Sequence, residues 1–358
     1  MSGSAAGTTT GTTGVQTDVV CLGESMVTFL PSRPGRLADV PSFGRGIGGA
    51  ESNVACALAA AGHRTKWVSR VGADGFGDHL VETIAGYGVD TSAVRRDADR
   101  PTGIYFRTAT DRGTDRHEVV YYRAGSAASA MSPDNVPYDD VLGGRVLHLS
   151  GITAALSADC LALLYDLTAP RPGRPLVSFD VNHRPGLWHG TGTGPGTLLD
   201  LARRCDLVFV GEDEAQDAWG LKDTAEIREA LPGPEVLVVK RGALGATVFS
   251  RPTPDASAPT TVTPVPALHV DVVAPVGAGD AFAAGFLSAT LRGLPVRDRA
   301  RHGHLMAAAV LTVPGDLTDP PTRACADRLV ALDDTAWGRL RLGPGWTAAE
   351  AAEEVRTP

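Results

Sequence analysis

Pro275-Val276-Gly277-Ala278-Gly279-Asp280-Ala281-Phe282-Ala283-Ala284-Gly285 sets a glycine turn directly ahead of a helix of small and apolar residues. The first N–H groups of such a helix have no partner within it and carry the positive end of its dipole, so they face one point. A nest of this kind binds an anion, typically phosphate. Asp280 falls in the first turn, beside that hole. A carboxylate there can take a proton from an attacking hydroxyl while the N–H groups hold charge building on a transferred phosphoryl group. It can also do no more than complement the helix dipole.

Working outward, short apolar runs rich in Val, Leu and Phe alternate with segments of helical period from Asp18 onward. That rhythm predicts βα units and a mainly parallel sheet with helices on both faces. The expected strands are Val19–Leu22, Thr65–Val71, Val146–Leu149, Leu176–Val181, Leu207–Val210, Val236–Lys240 and Ala246–Ser250. Helices are expected at Ser52–Ala61, Gly77–Ala85, Ala158–Thr168, Glu212–Trp219, Ala225–Ala230, Ala278–Leu291 and Val296–Thr312, with Gly62 and Gly293 as left-handed stops.

Residues 27–43 and 101–123 break the rhythm with alternating strand patterns, the second around a polar turn at Asp111–His117; they predict a small β lid. Residues 1–17 hold no Lys or Arg and no apolar core, and are expected to be a disordered tail rather than a secretory signal. A single domain is expected over 18–333, with a C-terminal extension at 334–358. The Pro- and Gly-rich stretches 169–175, 190–196 and 252–264 are expected loops within it.

Composition narrows the function. The 41 acidic residues exceed the 33 Lys and Arg, for a net charge of −8, which argues against nucleic acid as a partner. Apolar runs fall short of the roughly 18 to 20 residues that cross a membrane. Five widely spaced cysteines without a CxxC pair point to reduced thiols and a cytoplasmic protein. The nine histidines lack metal-ligand spacing; His302 and His304, the one close pair, are expected on the surface or in packing.

Gly44-Arg45-Gly46-Ile47-Gly48-Gly49 contains GxGxxG, but no buried strand leads into it and no acid lies near twenty residues on, so a dinucleotide site is disfavoured. The segment Ala50-Glu51-Ser52-Asn53 that follows reads instead as a close backbone approach to a polar ligand, with Asn53 on the first helical turn. Ser178-Phe179-Asp180-Val181-Asn182-His183-Arg184 runs off a strand end, where open α/β sheets bind ligands. Arg184 can fork onto a carboxylate or phosphate, or sit in a surface ion pair. Gly211-Glu212-Asp213-Glu214 follows another strand and can hold Mg²⁺ through water, or simply favour a helix start.

Gly48-Gly49 with Asn53, and Gly277-Ala278-Gly279-Asp280, together resemble the two signatures of the ribokinase-like carbohydrate kinases. The resemblance spans about Val19 to Val330. Arg70–Gly77, Arg100–Tyr105, Tyr121–Ser129, His148–Thr153 and Thr312–Asp316 are similar to the branch of that family that acts on 2-keto-3-deoxygluconate. The resemblance implies a three-layer α/β sandwich with a β-sheet lid, and ATP-dependent phosphorylation of the terminal hydroxyl of that sugar acid.

Asp280 is the implied base, with Gly277, Ala278 and Gly279 as the anion hole. Gly48, Gly49 and Asn53 are implied to contact substrate, joined by Tyr105, Tyr121 and Arg123 from the lid. Arg184 is implied to neutralise a carboxylate or incoming phosphate; with Arg107 and Arg123 it is expected to form a local basic pocket. Lys240, Gly242 and Gly245 are implied near the nucleotide, and Glu214 near Mg²⁺. A homo-oligomer paired through the lid is expected. Fructose, ribose and 2-keto-3-deoxygalactonate remain alternative substrates, and a sugar-acid sensor without turnover is the alternative from outside the enzymes. Two positions depart from the family pattern: Gly211 stands where Asn is usual and Ala274 where Asp is usual. They imply altered ATP handling and no potassium activation.

Overall fold

Eight strands form the central sheet in the order Thr261–Val265, Ala246–Ser250, Val236–Lys240, Leu207–Gly211, Leu176–Asp180, Gly144–Ser150, Thr17–Leu22, Thr65–Val68. The six from Val236–Lys240 to Thr65–Val68 pair in parallel, and the last two strands at the other edge are antiparallel. This computed structural model describes residues 16–33, 35–108, 119–188, 194–251 and 259–348. Residues 1–15 of the expected tail, the Asp111–His117 turn, 190–193, 252–258 and 349–358 lie outside the described residues; the first strand starts at Thr17.

The strands are continuously apolar because both faces are covered. In Leu207–Gly211, Val208 and Val210 face a core that includes Leu163, Leu164 and Leu201 from the helices Ala158–Leu167 and Gly196–Ala202. Leu207 and Phe209 face the opposite core, with Leu58, Phe282, Phe286 and Met306 from the helices Ala50–Ala60, Ala278–Leu291 and Val296–Leu311. The result is the three-layer sandwich expected from the sequence. Gly62 and Gly293 take φ of 89° and 69°, the left-handed stops.

The lid is a four-stranded sheet, Phe43–Gly48, Met26–Pro31, Ile104–Arg107, Val119–Tyr122. It draws strands from both expected stretches but reaches further: Gly44 to Gly48 are strand, paired antiparallel from Met26↔Gly48 to Pro31↔Phe43. Backbone pairing holds them extended despite the low strand preference of glycine. Two other readings are corrected. Thr65–Val71 is broken at Ser69, and Arg70–Gly72 leaves the main sheet to pair with Arg95–Asp97. The stretch read as a loop through Pro264 contains the strand Thr261–Val265, where proline is tolerated because the strand is at the edge.

Residues 334–348 of the expected extension pack into the same body. Trp337 is buried, donates its indole N–H to the Pro266 carbonyl at 3.0 Å and lies under the Arg301 guanidinium. His302 and His304 are buried packing residues whose pKa values burial lowers. All five cysteines are buried and free.

Candidate active site

Gly277 heads the helix Ala278–Leu291 with φ 75°, a left-handed cap. A Cβ there would come within 2.6 Å of the Asp316 carbonyl oxygen, so this position needs glycine twice over, for its φ and for its space. Three residues on, the half-buried Asp280 accepts a hydrogen bond from Asn53 Nδ2 at 2.8 Å. Asn53 rides on the first turn of the helix Ala50–Ala60, so the two glycine-headed helices place these side chains against each other. Burial, reinforced by the nearby charge of Asp180, pushes the Asp280 carboxyl up to about 7, against the opposing pull of Asn53, Lys240 and Arg184. A base poised there is matched to neutral pH.

The opposite wall comes from the C-terminal ends of the parallel strands. Asp180 ends Leu176–Asp180, and Lys240 ends Val236–Lys240 two strands away. The Lys240 ammonium lies 2.9 and 3.1 Å from the two Asp180 oxygens. Burial disfavours its charge, but Asp180, Glu214 and Asp280 outweigh that and hold its pKa above the usual lysine value. A Cβ on Gly279 would have one neighbour, Lys240 Nζ at 3.6 Å, which places the ammonium beside the anion hole.

Asn182 sits just past this strand end with φ 42°, the one non-glycine in the left-handed region among the described residues. Its Oδ1 and that of Asn53 are both buried without a hydrogen-bond partner. Orphaned buried acceptors are costly, and they are the atoms a ligand's hydroxyl groups would satisfy.

Arg184 is exposed, with Nη1 3.5 Å from Glu214 Oε1. The other Glu214 oxygen accepts the Gly211 N–H at 2.8 Å, capping the helix Glu212–Trp219. A Cβ on Gly211 would lie 2.5 Å from Asp213 Oδ1 and 3.1 Å from Glu214 Cγ, so a side chain here would displace that cap. Among the described residues no group of three or more His, Cys, Asp or Glu is placed to hold a metal. Gly242 and Gly245 shape the turn after Lys240 with φ of 53° and 106°; at Gly245 a Cβ would come within 2.2 Å of the Val265 carbonyl.

From the lid, Tyr105 is buried and its hydroxyl crowds Gly48, where a Cβ would stand 2.2 Å away. Its ring centroid is 5.4 Å from that of Tyr121, over which the Arg123 guanidinium stands at 5.7 Å. Gly49 is equally committed: a Cβ would lie 2.5 Å from the Glu24 carbonyl oxygen. Arg107 Nη2 donates to Asp316 Oδ1 at 2.7 Å with both side chains buried. Burial raises the Asp316 pKa against the pull of Arg107 and Tyr105.

The family described as pfkB family carbohydrate kinase matches residues 16–323. The chain belongs to the pfkB family. A Bacillus subtilis protein named 2-dehydro-3-deoxygluconokinase is 36% identical over 311 residues, 86% of this chain and 93% of that one. A Thermoproteus tenax protein of the same name is 33% identical over 87% of this chain and 94% of its own. The crystal structure of a PfkB protein from Polaromonas sp. JS666 superposes with a TM-score of 0.74 at 34% identity, covering 87% of this chain and 99% of that one.

In this pfkB kinase the structure links Asp280 to Asn53, Lys240 to Gly279, Asp180 and Glu214, and Glu214 to Arg184, with Gly277 heading the same helix as Asp280, and it sets Tyr105 and Gly48 beside Asp316. Tyr121 stands exposed on the lid, while Arg123 is turned inward to the buried Glu24. The expected local basic pocket is corrected: Arg107 is paired with Asp316, Arg123 with Glu24 and Arg184 with Glu214. Cations taken out of water need counterions, and the fold supplies them. Asp180 was expected at a ligand-binding strand end but without its partner Lys240, whereas Glu24 and Asp316 were absent from the expected site. Asp180 was legible at its strand end, but the partners of the other two are 99 and 209 residues away.

Proposed function

We propose that this pfkB kinase transfers the γ-phosphoryl group of ATP to the terminal (C6) hydroxyl of 2-keto-3-deoxygluconate, giving 2-keto-3-deoxy-6-phosphogluconate. The observation that carries the chemistry is Asp280, its pKa near 7, bonded to Asn53 at the mouth of the anion hole. The names of the Bacillus and Thermoproteus relatives support the choice of sugar acid.

The substrate hydroxyl gives its proton to Asp280 as its oxygen bonds to the γ-phosphorus and the bond to the ADP oxygen breaks. Asn53 holds the carboxylate oriented. The free N–H groups of Ala278, Gly279 and Asp280, with Lys240 opposite, hold the charge on the phosphoryl oxygens. Lys240, Gly242 and Gly245 line the nucleotide side. Gly48, Gly49, Asn53, Tyr105, Tyr121 and Arg123 contact the sugar acid, and the exposed Arg184, whose Nη1 donates to the His183 carbonyl at 2.9 Å and lies 3.5 Å from Glu214, swings to its carboxylate or to the arriving phosphate.

Mg²⁺ fits this edge only as a partner of ATP: with one Glu214 oxygen spent on the Gly211 N–H, the other, Oε1, can hold its hydration water. When bound, the ion neutralises phosphate oxygens. The exposed Val120 and Tyr122 on the lid support pairing of two lids in a homodimer, which sedimentation would test.

The deciding assay is ADP release with Mg·ATP on 2-keto-3-deoxygluconate, its galactonate epimer, fructose and ribose. Turnover confined to the keto-acids supports the proposal; turnover on neutral sugars alone overturns the substrate, and tight sugar-acid binding without turnover overturns the activity.

A further inference from the structure

Glu24 lies between the first central strand, Thr17–Leu22, and the first lid strand, Met26–Pro31, and its side chain is 1% exposed. Its Oε2 accepts from Arg123 Nη2, and its Oε1 accepts from Ser126 Oγ at 2.5 Å. Arg123 and Ser126 are the two ends of a tight turn closed by the Ser126 N–H to the Arg123 carbonyl at 3.0 Å, with Gly125 at φ 70°. One carboxylate therefore grips both ends of the turn that leaves the last lid strand. The backbone makes room for it: a Cβ on Gly103 would lie 2.9 Å from Glu24 Oε1. The carbonyl of the same residue abuts Gly49, where Asn53 N–H bonds the Gly49 carbonyl at 2.8 Å.

The neighbouring buried acid, Glu51, spends one oxygen on the Ser150 and Thr153 hydroxyls at 2.8 and 2.7 Å; its other oxygen has no hydrogen-bond partner, and Arg123 reaches Glu51 through its charge alone. Arg123 is 9% exposed, and its Nε is buried without a partner. The guanidinium is thus fixed by one edge while another donor is unspent.

We propose that Glu24 is a positioning residue for sugar-acid recognition: it holds the Arg123 guanidinium, through the Arg123–Ser126 turn, in the orientation that offers its free donor to an anionic oxygen of the substrate. This rests on the substrate proposed above. Because Glu24 already neutralises Arg123, the arginine acts by directed hydrogen bonding rather than by a net positive field. Glu24 also ties this lid arginine to the Gly49–Asn53 turn, so both substrate-facing surfaces share one support.

The test measures kcat and KM for 2-keto-3-deoxygluconate, KM for ATP, and turnover of fructose, on the native chain, Glu24→Gln, Glu24→Asp and Ser126→Ala. Glu24→Gln should raise the sugar-acid KM about 10- to 100-fold, the worth of a charge-assisted hydrogen bond, with kcat and the ATP KM within about threefold. Glu24→Asp should restore part of the loss, and Ser126→Ala should show a smaller shift in the same direction. A sugar-acid KM unmoved in Glu24→Gln, or kcat and both KM values moving together, overturns the proposal. If Glu24→Gln does not fold, Ser126→Ala and Gly103→Ala decide it by the same readout, and no selective rise in sugar-acid KM overturns it. Native turnover of neutral sugars alone overturns the substrate reading and this proposal with it; native turnover of the keto-acid with an unmoved variant KM overturns this proposal alone.

Discussion

The floor of the site and the lid above it are built on opposite electrostatic plans. On the floor, reactive groups are left poised: Asp280 is half-buried with a pKa near 7, Lys240 stands beside the proposed anion hole while paired with Asp180, and Asn53 and Asn182 each hold an unpartnered acceptor. In the lid, charges are spent, with Arg107 and Arg123 each locked to a buried acid of the body. On the proposed function, the floor carries the reaction and the lid the shape. Changes on the floor should therefore appear in kcat, and changes in the lid should appear in KM for the sugar.

The sharpest way to break that division is Asp280→Asn, which keeps the contact with Asn53 and removes the base. It should lower kcat by about 10⁴ with binding retained, as read by steady-state ADP release and calorimetry. An effect confined to KM would erase the distinction. Gly277→Ala comes next. A methyl forced against the Asp316 carbonyl at a left-handed φ distorts the anion hole, and kcat should fall about 10²- to 10³-fold.

Arg184→Ala crosses between the two regions and should raise the KM for keto-acids about 10- to 100-fold while leaving any residual fructose activity unchanged. The pH profile sharpens the floor itself. A base with a pKa of about 7 must be deprotonated to act, so kcat/KM should fall about tenfold per pH unit below 7 and level off above it. A profile flat down to pH 5 would remove Asp280 from that role. Smallest is Tyr121→Phe: its ring contact with Tyr105 survives, so KM should stay within about threefold.

The two regions also differed in how well the sequence disclosed them. Val236–Lys240, Ala246–Ser250, Glu212–Trp219 and Ala278–Leu291 were legible to the residue, because two-sided burial writes unbroken apolar strands and the helices carry local glycine stops or starts. The proposed anion hole and base lie within four consecutive residues, so a motif displays them. The strand Phe43–Gly48 was hidden because glycine carries no side-chain pattern, and Thr261–Val265 because Pro264 reads as a breaker. Glu24 and Asp316 were hidden for a different reason. Their importance lies in partners brought together only by folding, and nothing in the residues around either one announces an arginine across the chain.

The proline in that last strand also decides where this chain can meet others. Thr261–Val265 forms one margin of the eight-stranded sheet, and Pro264 has no N–H to offer an incoming strand. At the other margin, Asp90 already bridges Thr65–Val68 through bonds to Thr65 and Trp67. Neither border of the large sheet offers a bare ladder for runaway strand addition, so its eight-stranded width is self-limiting and stacking of copies into fibrils through this sheet is discouraged.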